Sequence, residues 1–297
     1  MALILSGHDV QQAVSMADAI EAVEGAFIDL SSGKAYAPVR LSLPIPEHDG
    51  AIHYMPAYLP SFAALGAKIV STFPHNPKIG KATIQAVLVM NDPVTGEVLA
   101  VMEAGYLTAL RTGAASGVAT RYLARPDARV AAIFGAGVQG RTQLEAVCEV
   151  RDIERAWIYD LNGQAADRYA IEMSMRGGRI PSDVRVASSP AEAASDADII
   201  CTATPSREPL FRDGDLKPGV HINAIGAFTP EMHEIPPETV ARSRIIVDCH
   251  EACMAEAGDL IIPMSRGMIS CEQCTTELGH VAGAVLPGRT ISRQVTL

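Results

Sequence analysis

No cysteine precedes Cys148, and the six in this chain of 297 residues do not form the dense, regular spacing of a disulfide framework. Basic residues are in deficit: 24 Lys and Arg stand against 34 Asp and Glu, a formal charge of −10, with no basic run to offset it. Nucleic acid is therefore excluded as an expected partner. Long apolar runs are missing too. No stretch approaches the roughly 20 apolar residues that span a bilayer, and the opening MALILSGHD has only a short apolar run with no basic segment before it. It does not read as a secretory signal, and a reducing cytoplasm is the expected location. Eight histidines are scattered without a metalloprotease-like pattern, and Gly-x-Ser-x-Gly is absent around Ser116, which leaves hydrolase chemistry without support.

What is present suits a globular enzyme. Hydrophobic residues make up 48% and charged residues 20%, enough for one large domain or two. Ser15-x-x-Asp18 is a capping signal, and Ile20, Val23, Phe27 and Leu30 follow at helical spacing, so an amphipathic helix begins there. From Pro38 to Val101 the texture turns to short β-prone runs, Ala67 to Ser71 and Thr83 to Met90 among them, with a hairpin turn expected over Asn91 to Gly96. Met102 to about Ala124 suits a linking helix that Pro126 stops. Strand-like and helix-like runs then alternate. The strands are Val130–Phe134, Ala156–Tyr159, Val184–Ala187, Asp198–Ala203, His221–Ile225 and Arg244–Asp248. The expected fold is α/β: a Rossmann-like, doubly wound parallel sheet over 125–287, beside a mixed α+β unit formed by 1–124 with 288–297.

The run Arg129-Val-Ala-Ala-Ile-Phe-Gly135-Ala-Gly137-Val138-Gln139-Gly140 places G-x-G-x-x-G directly after a buried-type strand and before a helix, Arg141 to Val150. Gly135 permits the tight turn, Gly137 lets backbone N–H groups approach a pyrophosphate, and Gly140 lets helix and strand pack closely. The helix N-terminus then faces the phosphate charge. The next strand ends at Asp160, 20 residues beyond Gly140, where a carboxylate accepts both ribose hydroxyls of NAD and repels the 2′-phosphate of NADP. No arginine adjoins Asp160-Leu161-Asn162, so NAD(H) is favoured over NADP(H). Thr202 and Thr204 at one later strand end, and Ile225 and Gly226 at the next, fall where such sheets hold the nicotinamide.

Taken together with Tyr54-Met55-Pro56-Ala57, Gly66-Ala67-Lys68, Thr83-Ile84-Gln85, Leu107 through Ser116, Glu277-Leu278-Gly279 and Pro287-Gly288-Arg289-Thr290, this pattern resembles the ornithine cyclodeaminase/mu-crystallin family over nearly the whole chain. That family includes ketimine reductases, pyrroline-2-carboxylate reductases and an archaeal type of alanine dehydrogenase. The resemblance implies that Arg40, Lys68 and Arg111 surround the substrate carboxylate and the reacting nitrogen. It also implies that Thr83 lies near substrate and Thr112 near the pyrophosphate. It further implies a homodimer built through the unit that holds a small amino or imino acid substrate. The chemistry is consistent: guanidinium groups bind carboxylates bidentately, and a lysine buried between cations has a lowered pKa and can pass a proton.

Two departures shape the functional expectation. In the cyclodeaminases the loop after the fifth strand carries an aspartate that acts in ring closure; here the run is Gly226-Ala227-Phe228-Thr229-Pro230, and a phenyl ring cannot be a general base. The expectation is therefore NAD(P)H-dependent reduction of a cyclic imine carboxylate such as pyrroline-2-carboxylate, with ornithine cyclodeaminase, an alanine-dehydrogenase-like oxidoreductase and a non-catalytic mu-crystallin-like binding protein as alternatives. Relatives also continue past Gln294 to Leu297 with a segment that helps to close the site, which bears on whether the chain turns over substrate or only binds. Finally, Cys249-x3-Cys253 and Cys271-x2-Cys274 can be read as zinc ligands or as small buried residues; the second reading is preferred and no metal is expected.

Overall fold

A computed structural model describes residues 1–297. Its first sheet has six strands, β1 (Leu3–Leu5), β2 (Leu41–Ile45), β3 (Gly50–Leu59), β4 (Ala64–Thr72), β5 (Ile84–Asn91) and β6 (Val98–Glu103), in the order β1-β6-β5-β4-β3-β2. Only β1 and β6 run parallel; the other pairs are antiparallel. This is the mixed sheet expected from the broken β-prone runs. The turn from β5 to β6 is built by Asp92, whose Oδ1 accepts the N–H groups of Val94 and Thr95 at 2.8 Å each, and by Gly96 at φ +76°.

Three helices accompany this sheet: α1 (Gly7–Ala13), α2 (Met16–Ser31) and α3 (Gly105–Leu123). The capping box expected at Ser15 is present, Asp18 N–H donating to Ser15 Oγ and Ser15 N–H to Asp18. The same device at Ser6 and Asp9 starts α1, which the sequence pattern leaves unannounced because only Val10 of its seven residues is buried. The linking helix starts at Gly105 rather than Met102, since Met102 and Glu103 complete β6. Helix α3 carries Gly113 and Gly117 against its neighbours, and a Cβ at Gly113 would lie 2.5 Å from the Thr142 carbonyl.

The second sheet contains β7 (Val130–Phe134), β8 (Arg155–Tyr159), β9 (Val184–Val186), β10 (Ile199–Thr202) and β11 (His221–Ala224), all parallel in the order β9-β8-β7-β10-β11. Helices α4 (Val138–Val150) and α5 (Gly163–Ser174) cover one face, where Leu144, Val147, Tyr169 and Met173 meet Ile133 and Ile158. The other face packs on α6 (Pro190–Asp196), α7 (Pro237–Arg242) and α9 (Gly258–Ser265) through Ala193, Val240 and Leu260. The remaining helices are α8 (His250–Glu256) and α10 (Leu278–Ala282). This is the doubly wound architecture, and the strand order reverses direction between β7 and β10, the place where such sheets bind ligands.

Two expectations need correction. Arg244–Asp248 is not a sixth strand of the ladder; it forms only isolated bridges, Arg244 with Thr296 and Val247 with Glu277. The reason lies in the last residues, which the sequence reading groups with the first unit. They enter beside β11 instead: Ile222 N–H donates to the Thr296 carbonyl at 2.8 Å, and Arg244 N–H to the Val295 carbonyl at 2.9 Å. The chain terminus thus separates β11 from the 244–248 segment. Arg289 secures it by donating to Thr296 Oγ1 at 2.8 Å and to the Leu123 carbonyl.

Candidate functional site

The Gly135–Gly140 loop has the form a dinucleotide requires. Gly135 sits at φ +105°, and a Cβ there would lie 2.5 Å from the Ala203 carbonyl; one at Gly140 would lie 2.0 Å from the Gly135 carbonyl. Gly137, by contrast, has no atom within 4 Å of the Cβ it lacks, and it caps α4 with no side-chain hydrogen bond. The first N–H groups of α4, including those of Val138 and Gln139, are thereby left for a phosphate. Gln139 Oε1 is a buried oxygen with no partner. These features fit NAD(H): the open glycine and uncapped helix would hold the pyrophosphate, and the cofactor would supply the hydride.

Asp160 ends β8 as expected, and its carboxylate accepts N–H groups from Ala136 (2.8 Å) and Asn162 (2.8 Å), which fixes it beside the glycine loop. Arg141 lies in the first turn of α4, next to this loop. It donates to the carbonyls of Ala136 and Gly137 at 2.7 and 2.9 Å and pairs with Glu172 at 2.7 Å, so its donors are already engaged. Thr112 lies where α3 crosses α4; its carbonyl accepts from Gln143 Nε2, and its hydroxyl donates to Thr108. Thr202 ends β10, with Ile225 N–H donating to its carbonyl at 3.1 Å, while Thr204 and Gly226 belong to the adjoining loops.

On the first sheet, Lys68 is in register with Met55 on β3 and Leu88 on β5, so the three side chains share one face. That face opens on a cavity of about 420 Å³ lined by Pro38, Met55, Lys68, Leu88, Met90 and Arg111, among others. A second cavity of about 210 Å³, apolar apart from Arg111, adjoins it and shares Ala37 and Leu59. Arg111 projects from α3, is enclosed by protein, and keeps its accessible surface because it walls both cavities. Neither Lys68 nor Arg111 makes a hydrogen bond or ion pair.

The electrostatics follow from that crowding. Burial, then Arg111 and Arg40, lower the Lys68 pKa to about 8. Burial lowers Arg111 as well, against the attraction of Asp248 and with repulsion from Arg40. Arg40 pairs with Glu256 of α8 at 2.6 Å, and its Nε is buried without a partner. Two unpartnered cations, Lys68 and Arg111, thus line one cavity, and Arg40, though not among the lining residues, lies near enough to act on both; guanidinium and ammonium groups so placed suit a carboxylate.

Lys68, Arg111 and Arg40 are thus brought together. Thr83 is not among the lining residues; it precedes β5, and its carbonyl accepts the Phe73 N–H at 2.8 Å. Three residues missed in the sequence stand close by. His53 shares the Met55 face of β3, faces Ser42 Oγ at 2.8 Å, and has its pKa lowered by burial and by Arg40 and Lys68. Asp248 and Glu256 come from the dinucleotide-binding half. Nothing local marks any of the three, because their proximity to the cations exists only after folding.

Phe228 is half-exposed in the loop after β11 and offers no acid or base there. The four late cysteines do not converge: Cys253 Sγ faces Asp248 Oδ1 at 3.1 Å, Cys271 lies 3.7 Å from His250 Nε2, and all six cysteines are free thiols. No group of three or more His, Cys, Asp or Glu side chains gathers in a way that would hold an ion. No helix is long and apolar enough to cross a membrane.

Residues 1–297 match the model of the ornithine cyclodeaminase/mu-crystallin family. A Delta(1)-pyrroline-2-carboxylate reductase of Bacillus cereus is 37% identical over 296 residues, covering 99% of this chain and 90% of the relative. The solved structure of Thermococcus litoralis Delta(1)-pyrroline-2-carboxylate reductase, in complex with NADH and L-proline, superposes with a TM-score of 0.95 at 45% identity, over 99% of this chain and 90% of that one. An archaeal alanine dehydrogenase dimer with bound NAD superposes with a TM-score of 0.91 at 35% identity, over 99% and 89% of the two chains.

Proposed function

The chain belongs to the ornithine cyclodeaminase/mu-crystallin family, and from that premise we propose that it is an NAD(H)-dependent reductase of a cyclic imine carboxylate, with pyrroline-2-carboxylate giving L-proline as the reference reaction. The observation that carries this reading is the pair of unpartnered cations, Lys68 and Arg111, facing one cavity with Arg40 at its side. The relatives whose names specify pyrroline-2-carboxylate, and the neighbour that holds NADH and proline, support it.

In this reading Arg111 and Arg40 hold the carboxylate and so orient the imine carbon toward the nicotinamide, which turns hydride transfer into a nearly unimolecular step. Lys68, half protonated at about pH 8, gives its proton to the imine nitrogen. Thr83 remains a substrate contact only on the strength of the family likeness. Asp160 at the end of β8, with Arg141 occupied by Glu172, supports NAD(H) over NADP(H). Residues 1–124 form the substrate-binding and dimerising unit, 125–287 the dinucleotide-binding unit. Leu41, Leu43 and Tyr54 lie on the sheet face opposite Lys68 and are exposed, which supports a homodimer closed over that face. Free thiols throughout suit a reducing cytoplasm.

The test is oxidation of NADH and NADPH with pyrroline-2-carboxylate, run beside an ornithine-to-proline assay on the same preparation. Imine-dependent oxidation without ornithine turnover is the expected result. Proline formed from ornithine overturns it in favour of the cyclodeaminase, and NADH binding with neither activity leaves a binding protein.

A further inference from the structure

Glu234 is completely buried, yet no cation pairs with it. Its neighbouring charge is another buried carboxylate, Asp259, at the start of α9. A buried, unpaired carboxylate is costly and persists only where hydrogen bonds replace its water. Here they come from two loops. Glu234 Oε1 accepts the Thr204 N–H at 2.7 Å and the Thr204 hydroxyl at 2.6 Å, and Oε2 accepts the Gly226 N–H at 2.9 Å.

Those donors lie just past the carboxyl ends of β10 and β11, after the last ladder bond, Ile225 N–H to the Thr202 carbonyl. Strands splay at such ends and leave N–H groups unsatisfied. The carboxylate takes the place of the missing ladder and sets the separation of the two loops. The spacing is tight: a Cβ at Gly226 would lie 2.4 Å from both Glu234 Oε2 and the Thr204 carbonyl. One layer further, Gly135 packs at backbone distance on Ala203. Glu234 is itself fixed from behind, since Asp259 Oδ1 accepts the N–H groups of Glu234 and Ile235 at 2.7 and 2.9 Å.

We propose that Glu234 is a positioning residue for the nicotinamide end of the cofactor, its carboxylate pinning the loops after β10 and β11 at the distance the ring requires. The proposal rests on the nicotinamide-dependent reading of this site. The adenosine half is held separately, by Gly135–Gly140 and Asp160, so the two halves of the cofactor should respond differently to loss of the pin.

Protonation weakens the same pin, because a neutral carboxyl group gives up part of its accepting capacity to donors that have no alternative partner. Burial pushes Glu234 up to about 7, against the hydroxyls of Thr204 and Thr202 and the Thr204 N–H, with Asp259 adding to the rise. Asp259 on α9 is itself raised to about 6 by burial, and the adjacent His233 is lowered by burial. The loops after β10 and β11 contribute no ionisable side chain between Ala203 and Ser206 or between Ile225 and Pro230.

The experiment is titration of the full-length protein with NADH and, separately, with ADP-ribose, which lacks the nicotinamide, between pH 6 and 8.5. NADH binding is read by nicotinamide fluorescence and ADP-ribose binding by calorimetry. Wild type should bind NADH progressively more weakly as pH falls through 7. E234Q should bind NADH at least about tenfold more weakly at pH 8, lose that pH dependence, and bind ADP-ribose as wild type does. T204V, which removes one of the three donors, should show a smaller loss with the same ligand selectivity, and it decides the matter if E234Q does not fold. Equal losses for both ligands, or unchanged NADH binding, overturn the proposal. Wild-type NADH binding without imine reduction overturns only the reductase reading and leaves the Glu234 result standing.

Discussion

Glu256 on α8 grips Arg40 ahead of β2 at 2.6 Å, so an acid from the dinucleotide-binding half holds a cation that acts on Lys68 and Arg111. Both side chains are largely covered, which shields the pair from solvent screening. If Arg40 holds the substrate carboxylate, as proposed, that carboxylate must share Arg40 with Glu256 or displace it.

The two partners should therefore move substrate affinity in opposite directions. Arg40→Gln is expected to raise the KM for pyrroline-2-carboxylate about tenfold or more, whereas Glu256→Gln lowers it, and NADH affinity stays constant in both. Steady-state kinetics at saturating NADH decide this; a raised KM in both variants would mean that Glu256 helps to hold the substrate.

If Lys68 is the proton donor, as proposed, it should set the alkaline limit of the reaction. Its pKa is lowered to about 8, so kcat/KM for imine reduction should be level below pH 7 and fall tenfold per pH unit above 8. Lys68→Met should cut turnover roughly 100-fold or more with NADH binding retained. A profile that stays level to pH 9.5 would remove Lys68 from the proton-transfer role.

The glycines of the phosphate loop separate binding from folding. A methyl at Gly137 meets open space and should leave the melting temperature unchanged while obstructing the pyrophosphate, lowering NADH affinity. At Gly140 the methyl would collide with the Gly135 carbonyl at 2.0 Å, and Gly140→Ala should destabilise the protein by about 1–3 kcal/mol. Melting curves and NADH titration of both variants test the contrast, which fails if Gly137→Ala melts as early as Gly140→Ala.

His221 makes the protein sensitive to acid. It is buried between Thr296 Oγ1 at 3.0 Å and Asn223 Oδ1 at 3.2 Å, and burial followed by Arg289 lowers its pKa to about 3. The unfolded chain takes up the proton near 6.5, so this stability is complete above pH 6.5 and is lost as pH falls toward 3. The loss amounts to about 2 kcal/mol at pH 5. His221→Asn should unfold less steeply with acid than wild type across pH 7.5 to 5, although it starts less stable; parallel curves would refute the assignment.

The dinucleotide half was legible because its signals are local. A buried strand, G-x-G-x-x-G, a helix start and an acid at the next strand end fall in order along the chain, and the structure places Gly135, Gly137, Gly140 and Asp160 around one loop. The capping box at Ser15 was legible for the same reason. Arg244–Asp248 misled because its apolar pattern suits a strand, whereas the chain terminus takes the neighbouring ladder position.

Arg40, Lys68 and Arg111 could be singled out only through likeness to a family, since Arg and Lys on a sheet or helix are ordinarily solvated. Strand alternation, turn chemistry and the glycine loop were determined by the sequence itself, for they depend on neighbours a few residues apart. Only the tertiary structure decided that Glu256 reaches Arg40, that Lys68 shares a cavity with Arg111, and that Glu234 binds the loops after β10 and β11. Those relationships join residues far apart in the chain. Their strength comes from exclusion of water, which no short stretch of sequence can specify.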